Sequence, residues 1–297
     1  MPPKPLLPRA QMPVSAPERP MFDLPKGACD THVHMVAGPE DFPLWDGRVE
    51  DPAGGDFDTW LDRFAKHQAV LGLERAVIVH SILYGADNSV TVETVRRLGP
   101  DVARGIGLVR DDVDDATLDR LATQNIVGVR LNYVHGGVLS WEGVKAMAPR
   151  LAERGMHVQM LLNTHRHLED LAGDMARLPV PVVLDHFGWP DLSLGVDEPG
   201  FAALKRLVGD GQVWVKLSGT YRLCRAPYDQ ADEAILSLIQ ANAERCLWAS
   251  DWPHLMLADA DLPDAGQLLN RFLKLVGQSR TLSRILVDNP ARLYGFV

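Results

Sequence analysis

Cysteine is scarce in this chain, with three copies in 297 residues, at Cys29, Cys224 and Cys246. These cysteines are too few and too scattered for a disulfide framework or a cysteine-rich zinc site. Their scarcity fits a reducing compartment, so we predict a cytoplasmic protein. Cys29 and Cys246 lie in strand-like runs, where a small buried apolar side chain is expected.

Long apolar runs are also missing. No run approaches the length of a membrane span, and the first residues carry basic side chains without the apolar region of a signal peptide. We therefore predict a protein that is not exported and has no membrane partner.

The chain has no surplus of basic residues. Lys and Arg number 30 against 39 Asp and Glu, which gives a formal net charge of -9 and a pI near 5.5. A nucleic-acid binder needs clustered basic side chains, so nucleic acid is not an expected partner. An anionic small molecule stays compatible, because a few inward arginines can reverse the field of a cleft. The composition leaves a homo-oligomer open.

Proline, in contrast, is abundant at the start of the chain. Residues 1–26 contain eight prolines, at a spacing that blocks both helices and sheet ladders. We predict that residues 1–26 form a passive arm, which lies extended over the surface of the domain or is partly disordered.

After the arm, short apolar runs rich in β-branched residues alternate with helix-like segments. The runs are apolar on both faces, as in a parallel sheet that is covered on both sides. Eight strands alternating with eight helical segments, without a linker-like break, predict a single α/β domain over residues 27–297, a (β/α)8 TIM barrel. The predicted strands are 29–34, 76–80, 103–108, 127–131, 157–162, 182–185, 213–217 and 246–249. The eight alternating helices are 59–71, 90–98, 116–124, 141–154, 168–178, 199–208, 230–243 and 265–276, and a short helical segment at 283–286 closes the chain.

Two histidines end the first predicted strand. Side chains at i and i+2 of a strand share a face, so His32 and His34 are expected to point toward one spot. The structural alternative is a pair of histidines that bind backbone carbonyls. The long connection 35–58 that follows would lie over the active-site face of a barrel, where it could act as a lid.

Other polar residues fall at the ends of later strands, which is where a barrel of this kind builds its site. They are Arg130 and Asn132, Asp185 and His186, and Asp251. Taken singly, Asp251 could be a helix N-cap, and Asp185 with His186 could be a structural pair. Their shared position at strand ends favours one common site.

The two arginines near strand ends each leave alternatives open. Arg130 lies inside an apolar strand, where a buried guanidinium needs a partner. That partner is either an internal carboxylate such as Asp185 or, as we favour, a carboxylate of the substrate. Arg222 could bind a carboxylate in the same way, or form a surface salt bridge.

The remaining histidines are weaker candidates. His157 begins its strand and would lie at the opposite end of the barrel from the site. His165 and His167 are expected at the start of a helix, in contact with solvent. His80 could line the pocket or belong to the core.

Several motifs resemble the amidohydrolase superfamily, and within it the branch of small lactonases. The HxH motif is only moderately specific, but the later motifs in the same order make the branch assignment specific. The matching stretches are DTHVH at 30–34, GADN at 85–88, GVR at 128–130, DHFGWPD at 185–191, WASDWPH at 248–254 and DNPARLY at 288–294.

The resemblance implies a mechanism without a metal. In the pyrone-dicarboxylate lactonases of this branch, an Asp after the last strand takes a proton from water while three histidines polarise the lactone carbonyl. Carried over, Asp251 is the base and His32, His34 and His186 stabilise the oxyanion, which is chemically reasonable for an ester. The implied substrate-binding residues are Arg130, Asn132, Arg222, Trp189 and Asn88.

A metal-dependent relative would use some of the same residues differently. His32, His34 and Asp251 could hold one divalent metal such as zinc as an open three-ligand site. We favour no cofactor, because the middle strands lack a typical further ligand and Arg130 would repel a nearby cation.

The expected substrate is a small lactone from carbohydrate or aromatic catabolism. Trp189 stands where the pyrone-dicarboxylate lactonases have an arginine, and a second arginine is replaced near residues 134–137. With fewer cations, the site is expected to take a lactone with at most one carboxylate, or a neutral sugar lactone. The alternatives are a zinc-dependent hydrolase or decarboxylase, a lactone isomerase, and a ligand-binding barrel without activity.

Overall fold

The predicted strands all form in the computed structural model, which describes residues 7–257 and 260–297. They make one wholly parallel sheet whose spatial order follows the chain. The strands are Cys29–Val33 (β1), Arg75–Val79 (β2), Ala103–Gly107 (β3), Ile126–Asn132 (β4), His157–Leu161 (β5), Val182–Leu184 (β6), Val213–Leu217 (β7) and Cys246–Trp248 (β8).

Helices follow the strands and cover the outside of the sheet, which makes a nearly closed TIM barrel. This confirms the fold predicted from the alternating pattern. The helices are Phe57–Leu71 (α1), Ser89–Leu98 (α2), Asp115–Thr123 (α3), Trp141–Glu153 (α4), Glu169–Met175 (α5), Pro199–Gly209 (α6), Thr220–Leu223 (α7), Asp232–Asn242 (α8), Ala265–Val276 (α9), Arg280–Ser283 (α10) and Asn289–Tyr294 (α11).

Side-chain caps fix the start of several of these helices. Asp56, Ser140 and Asp264 each accept a hydrogen bond from a backbone amide in the first turn of α1, α4 and α9. Such caps satisfy amides that have no partner inside the helix. None of the helices in the described part of the chain is both long and apolar enough to cross a membrane.

The first and last strands are joined by hydrogen bonds that bring their carboxyl ends together. The Thr31 hydroxyl donates to the Trp248 carbonyl at 2.8 Å, and the His34 amide donates to the Trp252 carbonyl at 2.8 Å. The segments that follow β1 and β8 are therefore held side by side. This is why residues far apart in the sequence meet at one end of the barrel.

The predicted helix 168–178 is shorter than expected, because α5 covers only Glu169–Met175. The segment before α5 is a π-turn, Thr164–Leu168, and not regular α-helix. Gly200 in α6 packs so closely on this turn that a Cβ there would lie 2.2 Å from the Thr164 carbonyl oxygen. A second π-turn, Arg284–Asp288, lies where helix 283–286 was predicted, after α10.

The described part of the arm, residues 7–26, has no helix and runs along the barrel. The Ala10 amide donates to the Asp51 carbonyl at 2.8 Å, and the Met21 amide donates to the Asn270 side chain at 2.7 Å. These bonds link the arm to the loop after β1 and to α9. The prediction for residues 1–6 lies outside the described residues.

Candidate functional site

A cavity of about 410 Å³ opens at the carboxyl ends of the strands. Most of the predicted site residues meet there. His34, Arg130, Asn132, His186, Trp189, Arg222 and Asp251 line the cavity, and the fully buried His32 lies against them.

His32 and His34 point to one spot, as their spacing predicted. Their Nε2 atoms are 3.2 Å apart, and each lies within 3.7 Å of Asp251 Oδ1. The Nδ1 atom of His34 is 2.8 Å from the Val79 carbonyl, and that of His32 is 3.1 Å from Asp185 Oδ1. A carbonyl and a carboxylate only accept hydrogen bonds, which places the proton of His34 on Nδ1 and favours the same position in His32 over the alternative in which Lys216 Nζ, 3.3 Å away, donates to His32 Nδ1.

The neutral forms of these two rings therefore turn Nε2 lone pairs toward each other. Burial lowers the pKa of His32 and places that of His34 well below its ordinary value, so the neutral form is favoured in both. His32 Nε2, His34 Nε2 and Asp251 Oδ1 therefore direct three lone pairs toward one point.

Asp251 is held by one of its oxygens and free at the other. Oδ2 accepts hydrogen bonds from the Tyr221 hydroxyl at 2.5 Å and from Arg222 Nε at 3.0 Å. Oδ1 has no hydrogen-bond partner among the described residues. Burial disfavours the charge, but His186 and Arg222 outweigh it and hold the pKa of this carboxyl well below its ordinary value.

The backbone at Asp251 is strained. Its φ of 64° lies in the left-handed region, which is unfavourable for a residue with a side chain. Such strain is commonly found at functional sites, where neighbouring contacts hold the residue in place. The Asp251 amide donates to the His32 carbonyl at 3.1 Å, which supplies one such contact. Asp251 is not a helix N-cap.

His186 lies beside Asp251, with its ring centre 4.9 Å from that of His32. Its Nε2 lies 3.6 Å from Asp251 Oδ2, and its Nδ1 is 2.9 Å from the Ser218 hydroxyl. A hydroxyl can donate or accept, so His186 can carry its proton on Nε2, unlike the other two rings. Burial lowers its pKa to about 3. Gly219 makes room for the ring, since a Cβ there would lie 2.7 Å from Nδ1.

Arg130 and Arg222 both lie at the cavity, and each also faces an internal carboxylate. Arg130 lines the cavity and also lies 3.6 Å from Asp185 Oδ2, so it faces an internal carboxylate as well as the substrate space. Arg222 binds Asp251 inside the cavity, and its guanidinium stacks 5.8 Å from the centre of the Trp189 ring. The surface salt bridge considered for Arg222 is therefore not formed.

Two sequence candidates lie away from this cavity. The Asn88 amide exchanges hydrogen bonds with the backbone of Leu108, at 2.8 Å in each direction, and joins the start of α2 to the end of β3. His80 is buried, with one ring nitrogen near the Thr91 hydroxyl and the other near the Gly85 carbonyl. These contacts give both residues a place in the scaffold.

Comparison with known proteins identifies the family. The profile described as Amidohydrolase matches residues 29–296. The chain belongs to the amidohydrolase family. It is 34% identical to a 4-sulfomuconolactone hydrolase of Rhizobium radiobacter, over 93% of this chain and 92% of the relative. It is 32% identical to a 2-pyrone-4,6-dicarboxylate hydrolase of Comamonas testosteroni, over 94% of this chain and 93% of the relative.

A solved structure supports the same assignment. The putative 2-pyrone-4,6-dicarboxylic acid hydrolase of Pseudomonas putida superposes with a TM-score of 0.76 at 28% identity, covering 92% of this chain and 99% of that one. The resemblance to the lactonase branch, found from the motifs, is thus confirmed.

This amidohydrolase also has buried polar residues that the sequence reasoning missed. Lys216, in the middle of β7, is fully buried and donates to Gln159 Oε1 and to the Thr31 carbonyl, both at 2.7 Å. It also lies 3.5 Å from Asp185 Oδ1. A lysine inside the apolar run VWVKL was the available signal, because such a charge needs internal partners.

The donor set of this amidohydrolase fits a metal ion in its spacing. Tetrahedral zinc, with Zn–N distances of about 2.0–2.1 Å, places its ligand atoms about 3.3 Å apart. The Nε2 atoms of His32 and His34 and the Oδ1 atom of Asp251 are 3.2 to 3.7 Å apart. His32, His186 and Asp251 form a second, overlapping group. Arg130 lies 3.6 Å from Asp185, which offsets part of its charge, but Asp185 is shared with Lys216 at 3.5 Å, so the objection that Arg130 would repel a cation is only partly met.

Proposed function

We propose that this amidohydrolase hydrolyses a small lactone that carries at most one carboxylate. The observation that carries the proposal is the state of Asp251, which has one oxygen fixed by Tyr221 and Arg222 and the other unpartnered among the described residues. A buried carboxylate that stays ionised and has a free oxygen in a cavity is suited to accept a proton from water.

In the proposed reaction, Asp251 Oδ1 takes a proton as the water oxygen bonds to the lactone carbonyl carbon. The carbonyl becomes an oxyanion, which needs a hydrogen-bond donor. When the tetrahedral intermediate collapses, the bond between the carbonyl carbon and the ring oxygen breaks. The leaving alkoxide takes the proton back from Asp251, and the product is a hydroxy acid.

His186 is the neutral donor best suited to the oxyanion. It lines the cavity, and its Nε2 can carry a proton when the Ser218 hydroxyl donates to Nδ1. In this metal-free form, the Nε2 atoms of His32 and His34 have no proton to donate to the oxyanion or to Asp251, and they would donate only if a proton were added to the pair.

The facing lone pairs of His32 and His34 favour a second candidate, a hydrolase that holds one divalent metal such as zinc. Two lone pairs 3.2 Å apart repel each other unless a cation lies between them. His32, His34 and Asp251 would hold the metal, with His186 beside them. A metal in this position would supply Lewis-acid polarisation of the carbonyl. Elemental analysis of protein purified without chelator separates the two forms, since zinc at one equivalent would overturn the metal-free proposal.

The residues of the cavity wall support the proposed limit of one carboxylate on the substrate. Trp189 contributes an apolar surface where a further cation would be needed for a dianion. Arg130 is the cation left to bind a single carboxylate, because Arg222 is already paired with Asp251.

Asp251→Asn tests the proposal directly. We expect turnover of a lactone to fall by at least about a thousandfold, because an amide is not a base at neutral pH. The measurement is proton release with panels of sugar lactones, muconolactones and pyrone carboxylates, each with and without added divalent metal. Asp112→Asn, a change at an exposed carboxylate, should leave the rate unchanged.

Two results would contradict this proposal. Undiminished turnover by Asp251→Asn would exclude Asp251 as the base, provided that its circular dichroism spectrum matches that of the unaltered protein. A product without oxygen from isotopically labelled water would indicate a lactone isomerase instead.

A further inference from the structure

Glu50 is a buried carboxylate in the substrate cavity that the proposed reaction does not use. It lies in the long connection between β1 and α1, and only 2% of its surface is exposed. Its Oε1 accepts a hydrogen bond from the Met256 amide at 2.7 Å. This bond joins the connection after β1 to the segment after β8, so Glu50 is fixed at the cavity wall.

The apolar surroundings of Glu50 leave its charge poorly screened, so the charge acts on any ligand in the cavity. Val49, Leu255 and Leu257 line the same part of the cavity, and apolar walls of this kind screen a charge poorly. Burial raises the pKa of Glu50, which the Met256 amide and Arg222 oppose. A ligand in the cavity would therefore meet a carboxyl group that can accept hydrogen bonds and that repels anions.

Neither arginine of the cavity forms an ion pair with Glu50 among the described residues, so neither neutralises its charge. Arg222 is bound to Asp251 at 3.0 Å, and Arg130 faces Asp185 at 3.6 Å. Arg222 thus has a carboxylate partner of its own, whereas Arg130 shares Asp185 with the buried Lys216 and stays available to a substrate carboxylate at its own side of the cavity. Among the described residues, Glu50 accepts one hydrogen bond, which comes from the neutral Met256 amide.

We propose that Glu50 selects the substrate, by binding a hydroxyl group on the part of the lactone that faces the segments after β1 and β8 and by rejecting a carboxylate there. The inference rests on the proposed lactone hydrolase and narrows its substrate class to hydroxylated lactones that are neutral at this position. A carboxylate accepts a hydrogen bond from a hydroxyl, whereas two carboxylates repel each other, so one residue supplies both effects.

The test compares two γ-lactones, those of D-gluconic and D-glucaric acid, which differ by a terminal hydroxymethyl or carboxylate group. Dissociation constants are measured by calorimetry in the Asp251→Asn background, so that bound lactone is not consumed. Glu50→Gln keeps an oxygen for the Met256 amide and removes the charge. Glu40→Gln, in the same connection but exposed and outside the cavity, is the matched control.

We expect Glu50→Gln to shift the ratio of the two dissociation constants toward the glucaric lactone by about tenfold, equivalent to about 1.4 kcal/mol. The control should leave the ratio unchanged. The proposal is overturned if Glu50→Gln changes the ratio of the two dissociation constants by less than about threefold. It is also overturned if neither lactone binds to any of the variants. If the ratio shifts as expected but the unaltered protein hydrolyses no lactone, the selectivity of Glu50 stands and the proposed function fails.

Discussion

At the scale of single residues, the site keeps one protonation pattern across neutral pH. Burial lowers the pKa of His34, and that of His186 to about 3, while the pKa of Asp251 is held below its ordinary value. Above these values the rings are neutral and the carboxylate is ionised. We therefore expect kcat/KM for a hydrolysed lactone to stay constant between about pH 6 and 8.

Measured pH profiles can contradict this expectation in two ways. A fall in kcat/KM as the pH rises through about 6.5 would mean that a protonated histidine is required, as when His32 and His34 share a proton. A fall as the pH drops through the same value would mean that a neutral histidine accepts the proton instead of Asp251. The profile should be recorded for protein of known metal content.

The residues that meet in the cavity differ in how far the sequence could predict them. His32, His34, His186 and Asp251 lie at or just after the carboxyl ends of parallel strands, which meet at one end of a barrel, so their convergence was predictable. Glu50 was not, because its position depends on the path of a long connection and on a bond to Met256. The pairing of Arg222 with Asp251 likewise depends on loop geometry that no spacing rule describes.

At the scale of elements, a chain of hydrogen bonds between buried polar side chains crosses the inside of the barrel. Lys216 in β7 binds Gln159 in β5, and Gln159 Nε2 donates to Asp185 Oδ2 at 3.1 Å, after β6. Asp185 Oδ1 in turn accepts a hydrogen bond from Nδ1 of His32 in β1. This chain of hydrogen bonds links β1, β5, β6 and β7 beneath the cavity, and it fixes the orientation of the His32 ring.

We expect Lys216→Met to lower the free energy of unfolding by about 3–5 kcal/mol, because it leaves Asp185 buried with one cation fewer. Denaturant unfolding measures the change. The matched control is Lys205→Met, which breaks an ion pair with the exposed Asp197 and should cost about 0.5 kcal/mol or less. Equal losses in the two variants would show that the buried lysine contributes no more than a surface pair.

The strands themselves were predictable, and some helix boundaries were not. Each strand is a short apolar run covered on both faces, so all eight appear within a few residues of the predicted bounds. The π-turn Thr164–Leu168 escaped prediction because it depends on the approach of Gly200 from the next helix. Local periodicity carries no information about such a contact.

At the scale of the whole molecule, the arm contacts two parts of the barrel surface that are far apart in the sequence. Asn270 in α9 accepts the Met21 amide and donates to the Glu18 side chain at 2.7 Å, while Asp264 accepts the Glu18 amide at 3.0 Å. Nearer the start of the chain, the Ala10 amide binds the carbonyl of Asp51, next to Glu50. An extended proline-rich segment can therefore be ordered without forming a helix or joining a sheet.

Asn270→Ala should loosen the arm without affecting the reaction, because Asn270 lies outside the cavity. We expect amide hydrogen exchange across residues 17–24 to speed up by about tenfold or more, since local opening no longer has to break the Asn270 bonds. Gln267→Ala, on an exposed part of the same helix, is the control and should leave exchange unchanged. A parallel loss of kcat for a proven lactone would contradict a passive arm, because it would couple the arm to the cavity through the connection that carries Glu50.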